Sequence, residues 1–293
     1  MRVFVTGAAG WIGTTLTRDL VAAGHEVRGL ARSDSSADTI AASGGVAVRG
    51  DMHDHTLLVA EAEAADAFAH LAFTVDFSAF TETVDNEVEV VRLVGDVYEG
   101  TSKAFFAASG TPILPDRVAT EEDHLDPAGP AGERARTADA VLALAQRGVR
   151  AGLVRMPRTV HGEGDRHGLI ASLVGLDRQL GVAAYVGDGA NRWPAVHVSD
   201  AGRLFSLALQ HAPAGSVLHA VGEDGVAMRE VAEVIASRTG LPAGPVDPEP
   251  LGMFGDLLAI DQPASSTRTR ELLGWVPVGP TLLEDLVAGH YTG

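Results

Sequence analysis

The segment RVFVTGAAGWIGTTLTRDLVAAGH, residues 2–25, restricts the fold more than any other part of the chain. Its first residues are apolar, β-favouring and end in glycine, the pattern of a buried strand. The residues after the turn put Ile12, Leu16, Leu20 and Ala23 on one helical face, and Gly24 closes that helix. Between strand and helix lies Gly7-Ala8-Ala9-Gly10-Trp11-Ile12-Gly13. Glycines at such a turn let the backbone approach a pyrophosphate, and the helix N-terminus offers it N–H groups and a positive dipole end. The expectation is a dinucleotide seated on Gly7, Ala9, Gly10, Trp11, Ile12 and Gly13.

Strand and helix patterns then alternate. HEVRGLAR, VAVRGD, AFAHLAF, KAFFAAS and VRAGLVRMP read as further strands, with helical segments between them. Strict alternation implies an α/β fold, a doubly wound parallel sheet of the Rossmann kind. After Pro157 the pattern loosens. RTVHGEGDRHG reads as a glycine-rich loop, AAYVGDGANRWPAVHVSD as a hairpin and PAGPVDPEP as a proline-rich loop. The expected division is a nucleotide-binding domain over 1–157 and a smaller C-terminal substrate lobe over 158–293, with about 194–222 returning to the main sheet.

Composition narrows the function. The chain has 293 residues, no cysteine and a formal charge of −17. Disulfides, thiolate nucleophiles and Cys-ligated zinc are therefore excluded, and the acidic balance argues against nucleic acid as a partner. No apolar run reaches the roughly 20 residues of a membrane span. MRVFVTG reads as a strand rather than a signal peptide. A cytoplasmic protein is expected, a monomer or homodimer acting on a small molecule.

At the end of the second strand, NAD-specific sites usually place an acid on the ribose hydroxyls. Here GLARSDSS offers Arg32 and Ser33 instead. A guanidinium suits a 2′-phosphate, so NADP is favoured over NAD.

VTGAAGWIG, RGDMHD, AHLA and VRMPRTVHGEGD, with RWPAVHVSDAGRL and RTRELLGWVP, together resemble the extended and atypical short-chain dehydrogenase/reductase superfamily, which includes the NAD-dependent epimerase/dehydratases. The resemblance implies that Asp51 bonds the adenine with Met52 beside it. It also implies that Leu71 and Ala72 pass the nicotinamide ribose and that RMPRTVHG, with Pro157, lines the nicotinamide end. The family's active-site hydroxyl matches Ser109, with Thr111 close by. Phe73, Tyr185, Asn191, Arg192 and Trp193 are candidate substrate contacts.

The superfamily's Tyr-x-x-x-Lys pair is missing. The single lysine lies in YEGTSK, where Tyr98 and Lys103 are five apart and precede the fifth strand. Only a spacing of three or four places two side chains on one helix face. Tyr98 is therefore read as a packed aromatic and Lys103 as a solvent-facing residue. On the following helix the tyrosine position falls near Pro130 or Ala131 and the lysine position on Arg134 or Ala135. Arg134 could hold a ribose or an anion but cannot give up its proton. His161 is the candidate replacement acid, with His167 and His197 as further possibilities. His53 and His55 sit at the adenine end, where metal binding is not expected. The first reading is an NADP-dependent oxidoreductase, a reductase of a carbonyl, imine or conjugated alkene. The alternatives are a non-redox isomerase, epimerase or lyase, and a dinucleotide-sensing regulatory protein.

Overall fold

The computed structural model describes residues 1–73, 80–129 and 132–292. Its first half runs β1 (Arg2–Thr6), α1 (Trp11–Ala22), β2 (Glu26–Ala31), α2 (Asp34–Ala42), β3 (Val46–Arg49), α3 (His55–Ala64), β4 (Ala67–His70), α4 (Phe80–Tyr98), β5 (Ala104–Gly110), α5 (Arg134–Gln146) and β6 (Arg150–Met156). The second half runs β7 (Thr159–His161), α6 (Leu169–Leu180), β8 (Ala183–Val186), β9 (Arg192–His197), α7 (Val198–His211), β10 (Ser216–His219), β11 (Glu223–Ala227), α8 (Met228–Thr239), β12 (Ala243–Val246), α9 (Met253–Ala259), α10 (Thr267–Leu273) and α11 (Leu282–Ala288).

Seven strands form one parallel sheet in the order β10-β6-β5-β4-β1-β2-β3. The order reverses between β1 and β4, the point at which open α/β sheets bind ligands beyond their strand C-termini. Each face of the sheet carries its own core. On one face Leu16 and Leu20 of α1 meet Leu204, Phe205 and Leu209 of α7. On the other, Phe4, Phe68 and Phe105 step across adjacent strands with ring centroids 5.1 and 5.6 Å apart, beneath Val90, Val94, Val141 and Leu144. Burial of that kind makes each phenylalanine worth about 3–5 kcal/mol against alanine.

Helix ends follow local chemistry. Ser33 caps α2 by accepting from the Ser36 N–H in a reciprocal capping box, and Asp54 caps α3 by accepting from the Leu57 N–H. Strand β10 pairs with β6, so the chain returns to the main sheet after α7.

The C-terminal half departs from expectation in two linked places. The segment 183–200 is not a hairpin. Strand β8 pairs in parallel with β12, while β9 lies between β7 and an antiparallel β11. The proline-rich stretch supplies β12, which among the described residues pairs with β8 alone. An edge strand tolerates Pro245 because the missing N–H has no second neighbour to serve. Among the described residues no helix is long and apolar enough to cross a membrane.

Candidate active site

A trough of about 580 Å³ runs along the C-terminal edge of the sheet, over the crossing between β1 and β4. Its middle is backbone. Gly7 has φ +71, and a Cβ there would stand 2.7 Å from the Ala72 nitrogen; a Cβ on Gly13 would stand 2.1 Å from the Gly7 carbonyl oxygen. Only glycine permits that approach of turn to strand. Gly10 opens α1 in an extended conformation with no side chain capping the helix. The first-turn N–H groups are thus left to a ligand, and this cradle fits a dinucleotide pyrophosphate. The Trp11 side chain is already committed, because its Nε1 donates to the Val160 carbonyl (3.0 Å). What Trp11 can offer a phosphate is its backbone. Ile12 packs against the sheet core.

At the adenine end the trough is lined by Leu30, Arg32, Ser36, Asp51, Met52 and His53. Asp51 Oδ1 accepts from the His53 N–H (2.7 Å), and the Met52 carbonyl accepts from Asn86 Nδ2 (3.2 Å), fixing the loop after β3. Arg32 is exposed and has no ion pair among the described residues. Asp34, the nearby acid, is paired with Arg49 at 3.3 Å. Ser33 spends its hydroxyl on the α2 cap and on Ser35 and Ser36; Ser36, not Ser33, faces the trough. His55 bonds Asn86, and among the described residues no three metal-ligating side chains converge.

At the opposite end lie Leu71, Ala72, Phe73, Glu82, Thr83, Asn86 and Glu87. Thr6 Oγ1 sits 2.8 Å from His70 Nδ1 and accepts from the Ala72 N–H (3.3 Å), setting the course of the chain past β4. Glu87 is only 3% exposed. Arg134 donates to it (3.3 Å) and to the Ala108 carbonyl (3.2 Å), Thr137 Oγ1 donates from the other side (3.3 Å), and His70 Nε2 is 3.7 Å away. The Arg134 guanidinium lies over the Phe73 ring at 3.8 Å. Burial lowers the Arg134 pKa and Glu87 raises it against that; an arginine so held stays cationic. Glu87 was missed in the sequence. The available signal was an acid inside the apolar stripe of α4, between Val84 and Val91; Glu87 is buried and the neighbouring Val88 half-buried.

Ser109, 8% exposed, stands at the C-terminal end of β5, and its hydroxyl has no partner among the described residues. Thr111 is more tied down: its carbonyl and Oγ1 accept from Gln262 Nε2 at 2.8 and 3.2 Å. Pro130 and Ala131, the positions expected for the absent tyrosine, lie outside the described residues. The other two anchors of YEGTSK are structural. Tyr98 is fully buried in the core. Lys103 is half-buried rather than solvent-facing, because its Nζ donates to the Ala62 and Glu63 carbonyls at the C-terminal end of α3.

Several expected contacts sit away from the trough. His161 has no exposed surface; its Nδ1 is 2.6 Å from Asp285 Oδ2 and its ring meets that of His197 edge-on at 5.6 Å. It joins β7 to α11 and cannot reach a substrate as the acid. His167 is exposed outside the trough lining. His197 caps α7 through Nδ1. Pro157 is buried and not part of the lining. Tyr185 lies in β8 beneath Arg229, 5.1 Å from ring to guanidinium. Asn191 donates to the Leu258 and Ile260 carbonyls, Arg192 forks onto Asp261, and Trp193 is fully buried in the lobe core. Asn191 and Arg192 thus hold the segment 258–262 of their own chain, using side-chain donors that a substrate would have needed.

Residues 3–221 match the model of the NAD dependent epimerase/dehydratase family. Over its length the chain is similar to an uncharacterized protein of Schizosaccharomyces pombe, 38% identical across 99% of this chain and 100% of that one. It is 27% identical to a 4-hydroxy-2-methyl-3-oxo-4-farnesyl-3,4-dihydroquinoline-1-oxide ketoreductase of Stigmatella aurantiaca, across 83% of this chain and 75% of that one. In fold it is similar to the dTDP-glucose 4,6-dehydratase DesIV from Streptomyces venezuelae, whose structure holds NAD. There the TM-score is 0.80 at 23% identity, covering 99% of this chain and 96% of the other.

Proposed function

The chain belongs to the NAD dependent epimerase/dehydratase family, and from that premise we propose that it is a reductase of atypical short-chain type that uses NADPH on a carbonyl, imine or conjugated alkene of a small organic molecule. The observation that supports this reading is an uncapped, glycine-built cradle in a chain that keeps Ser109, unpartnered among the described residues, at the end of β5 and has no tyrosine on α5. When bound, the cofactor supplies the hydride. Ser109 donates its hydrogen bond to the substrate oxygen as negative charge develops there. Arg134, held between Glu87 and Phe73, presents a fixed positive charge to the ribose side of the nicotinamide. With His161 enclosed, the proton for the alkoxide comes from water at the Ser109 end of the cleft. The similarity to a ketoreductase supports reduction as the direction.

The NADP preference is supported by Arg32, the cation at the trough mouth whose neighbouring acid Asp34 is already paired. Calorimetric titration should give NADPH at least about ten-fold tighter binding than NADH, and Arg32→Ala should erase the difference, consistent with roughly 1.5–3 kcal/mol for a charge-assisted pair. Equal affinity in the wild type would remove NADP from the reading. Oxidation of NADPH across a panel of small ketones, imines and enones tests the reaction itself.

A further inference from the structure

The sheet and the lobe meet at an arginine that the reaction outlined above does not use. Arg158 follows β6 by two residues, and the Met156 carbonyl at the end of that strand accepts from the Thr111 N–H (3.0 Å). Arg158 Nε donates to Gln262 Oε1 (2.7 Å), and Gln262 in turn donates to Thr111. From the lobe side the Trp193 ring lies 5.3 Å from the guanidinium. Arg158 is therefore fixed between the C-terminal ends of β5 and β6 and the lobe, two residues along the chain from the strand that carries Ser109's neighbours.

Its charge is unmatched. Among the described residues no carboxylate pairs with it and its two Nη groups have no protein partner. Asp261, beside Gln262, is taken by Arg192. This matters in a chain with 39 acidic and 22 basic residues, where most half-buried arginines could find a carboxylate. Other buried or half-buried arginines without one turn Nη groups to carbonyls, as Arg270 does to those of Val221 and Gly222, although Arg155 Nε has no partner among the described residues. Arg150 reaches the carbonyls of Ala208, Leu209 and Ala212, and Arg155 reaches the Asp123 carbonyl. Arg158 has the Gln262 oxygen and an aromatic face, and nothing for the outer edge of its fork. Burial draws its pKa down to about 10, with no acid offsetting the shift, so it is still cationic at neutral pH. A desolvated guanidinium with a free Nη edge is a site for a planar or tetrahedral oxyanion.

We propose that Arg158 is the substrate's anion anchor, so that the molecule reduced at Ser109 carries a carboxylate or phosphate group. Gln262 fixes the Nε side of the fork, which leaves the Nη edge for the anion. The aromatic face of Trp193 stiffens the guanidinium without neutralising it. This inference rests on the reductase reading, since it names the substrate class of that proposed reaction.

The test uses oxalate, inorganic phosphate and the neutral oxamide as probes, titrated against tryptophan fluorescence in protein with and without saturating NADPH. The anion that matches the site should bind wild type at least about ten-fold more tightly than Arg158→Gln, the scale of a charge-assisted pair, with Arg158→Lys between them. Preference for oxalate or for phosphate identifies the group. Oxamide should not distinguish the variants, NADPH affinity should be the same in all three, and Trp193→Phe should remove the fluorescence response. In turnover, Arg158→Gln should raise KM for an oxo acid about ten-fold while leaving KM for its ester unchanged. Arg158→Gln binding the anions as well as wild type overturns the proposal, as does a wild type that binds neither anion. If the glutamine variant does not fold, Arg158→Lys carries the comparison. A protein that fails to bind NADPH defeats the reductase reading instead, and the anion titration of the cofactor-free protein remains readable.

Discussion

The sheet around the trough and the C-terminal lobe are built from different materials. In the sheet domain the decisive contacts are backbone and local: two glycines that must lack a Cβ, a helix left without a cap, and a turn fixed by Asp51. In the lobe they are side chains closing over long separations. His161 reaches Asp285 across 124 residues, and Arg192 reaches Asp261 across 69. A backbone-built site tolerates substitution of most side chains and fails abruptly where the chain path itself is blocked. A side-chain-built region fails piecemeal, each loss bounded by one interaction.

The largest effect is therefore expected at the glycine turn. Gly13→Val adds a Cβ that has no room against the Gly7 carbonyl, 2.1 Å away, so the turn must move. Dinucleotide affinity should fall by more than ~100-fold, or about 2.7 kcal/mol. Circular dichroism should still report the helices of the lobe, whose core does not involve this turn. Retention of wild-type affinity would show that the backbone cradle does not hold the pyrophosphate. Next comes the joint between the two regions. Ser109→Ala should lower the turnover rate by roughly 100-fold, the loss typical of one oxyanion donor, with cofactor affinity unchanged. A silent Ser109→Ala over a broad substrate panel would favour a sensor of dinucleotides over an enzyme.

The same contrast governs what could be read from the sequence. The parallel sheet, the glycine turn and Arg32 at the second strand's end were legible because each is announced within a few residues by periodicity, glycine or a strand end, while Asp51, Met52, Leu71 and Ala72 came from the family resemblance. The lobe was not. Asn191, Arg192 and Trp193 have the composition of a ligand site, but composition cannot tell a ligand from residues 258–262 of the same chain. His161 looked like an available acid because Asp285, which encloses it, lies on a helix near the end of the chain. Strand β12 was hidden because proline argues against a strand except at an edge, and edges are set by topology. Arg158 and Gln262 meet across 104 residues, beyond any local pattern.

A smaller effect, in stability rather than activity, should separate the two regions by pH. Asp177 on α6 is fully buried in the lobe; its Oδ1 accepts from the Ala184 N–H (3.0 Å) and its Oδ2 has no partner among the described residues. Burial pushes its pKa up to about 7, the Ala184 bond opposing. The unfolded chain would ionise it near pH ~3.9. Because the folded value is the higher one, the stabilising contribution of the protonated form is complete below about pH 4 and is lost as pH rises to about 7. Asp177→Asn keeps the shape without the charge. Its Tm should match wild type near pH 4 and exceed it at pH 8, by an amount corresponding to roughly 4 kcal/mol, about three pKa units at ~1.4 kcal/mol each. Parallel Tm curves across that range would mean that Asp177 stays ionised in the fold.

The smallest effect is expected at the tyrosine that most resembles a catalytic one. Tyr98 ends α4 inside the sheet-domain core, with its hydroxyl buried and without a partner among the described residues, and Lys103 Nζ stands 5.3 Å from its ring while bonding the end of α3. Burial pushes the phenol's pKa up, away from the range useful for proton transfer at neutral pH. Tyr98→Phe removes an unsatisfied polar atom and leaves the ring packing intact. Turnover should stay within a few-fold of wild type, and chemical denaturation should give a stability unchanged or higher by about 1 kcal/mol, the lower end of the cost of a buried unpaired hydroxyl. If turnover instead dropped ~100-fold in a folded variant, equivalent to about 2.7 kcal/mol of barrier, the proton would have to pass through the core of the sheet domain. The division between a backbone-built nucleotide half and a side-chain-built lobe would then fail at its firmest point.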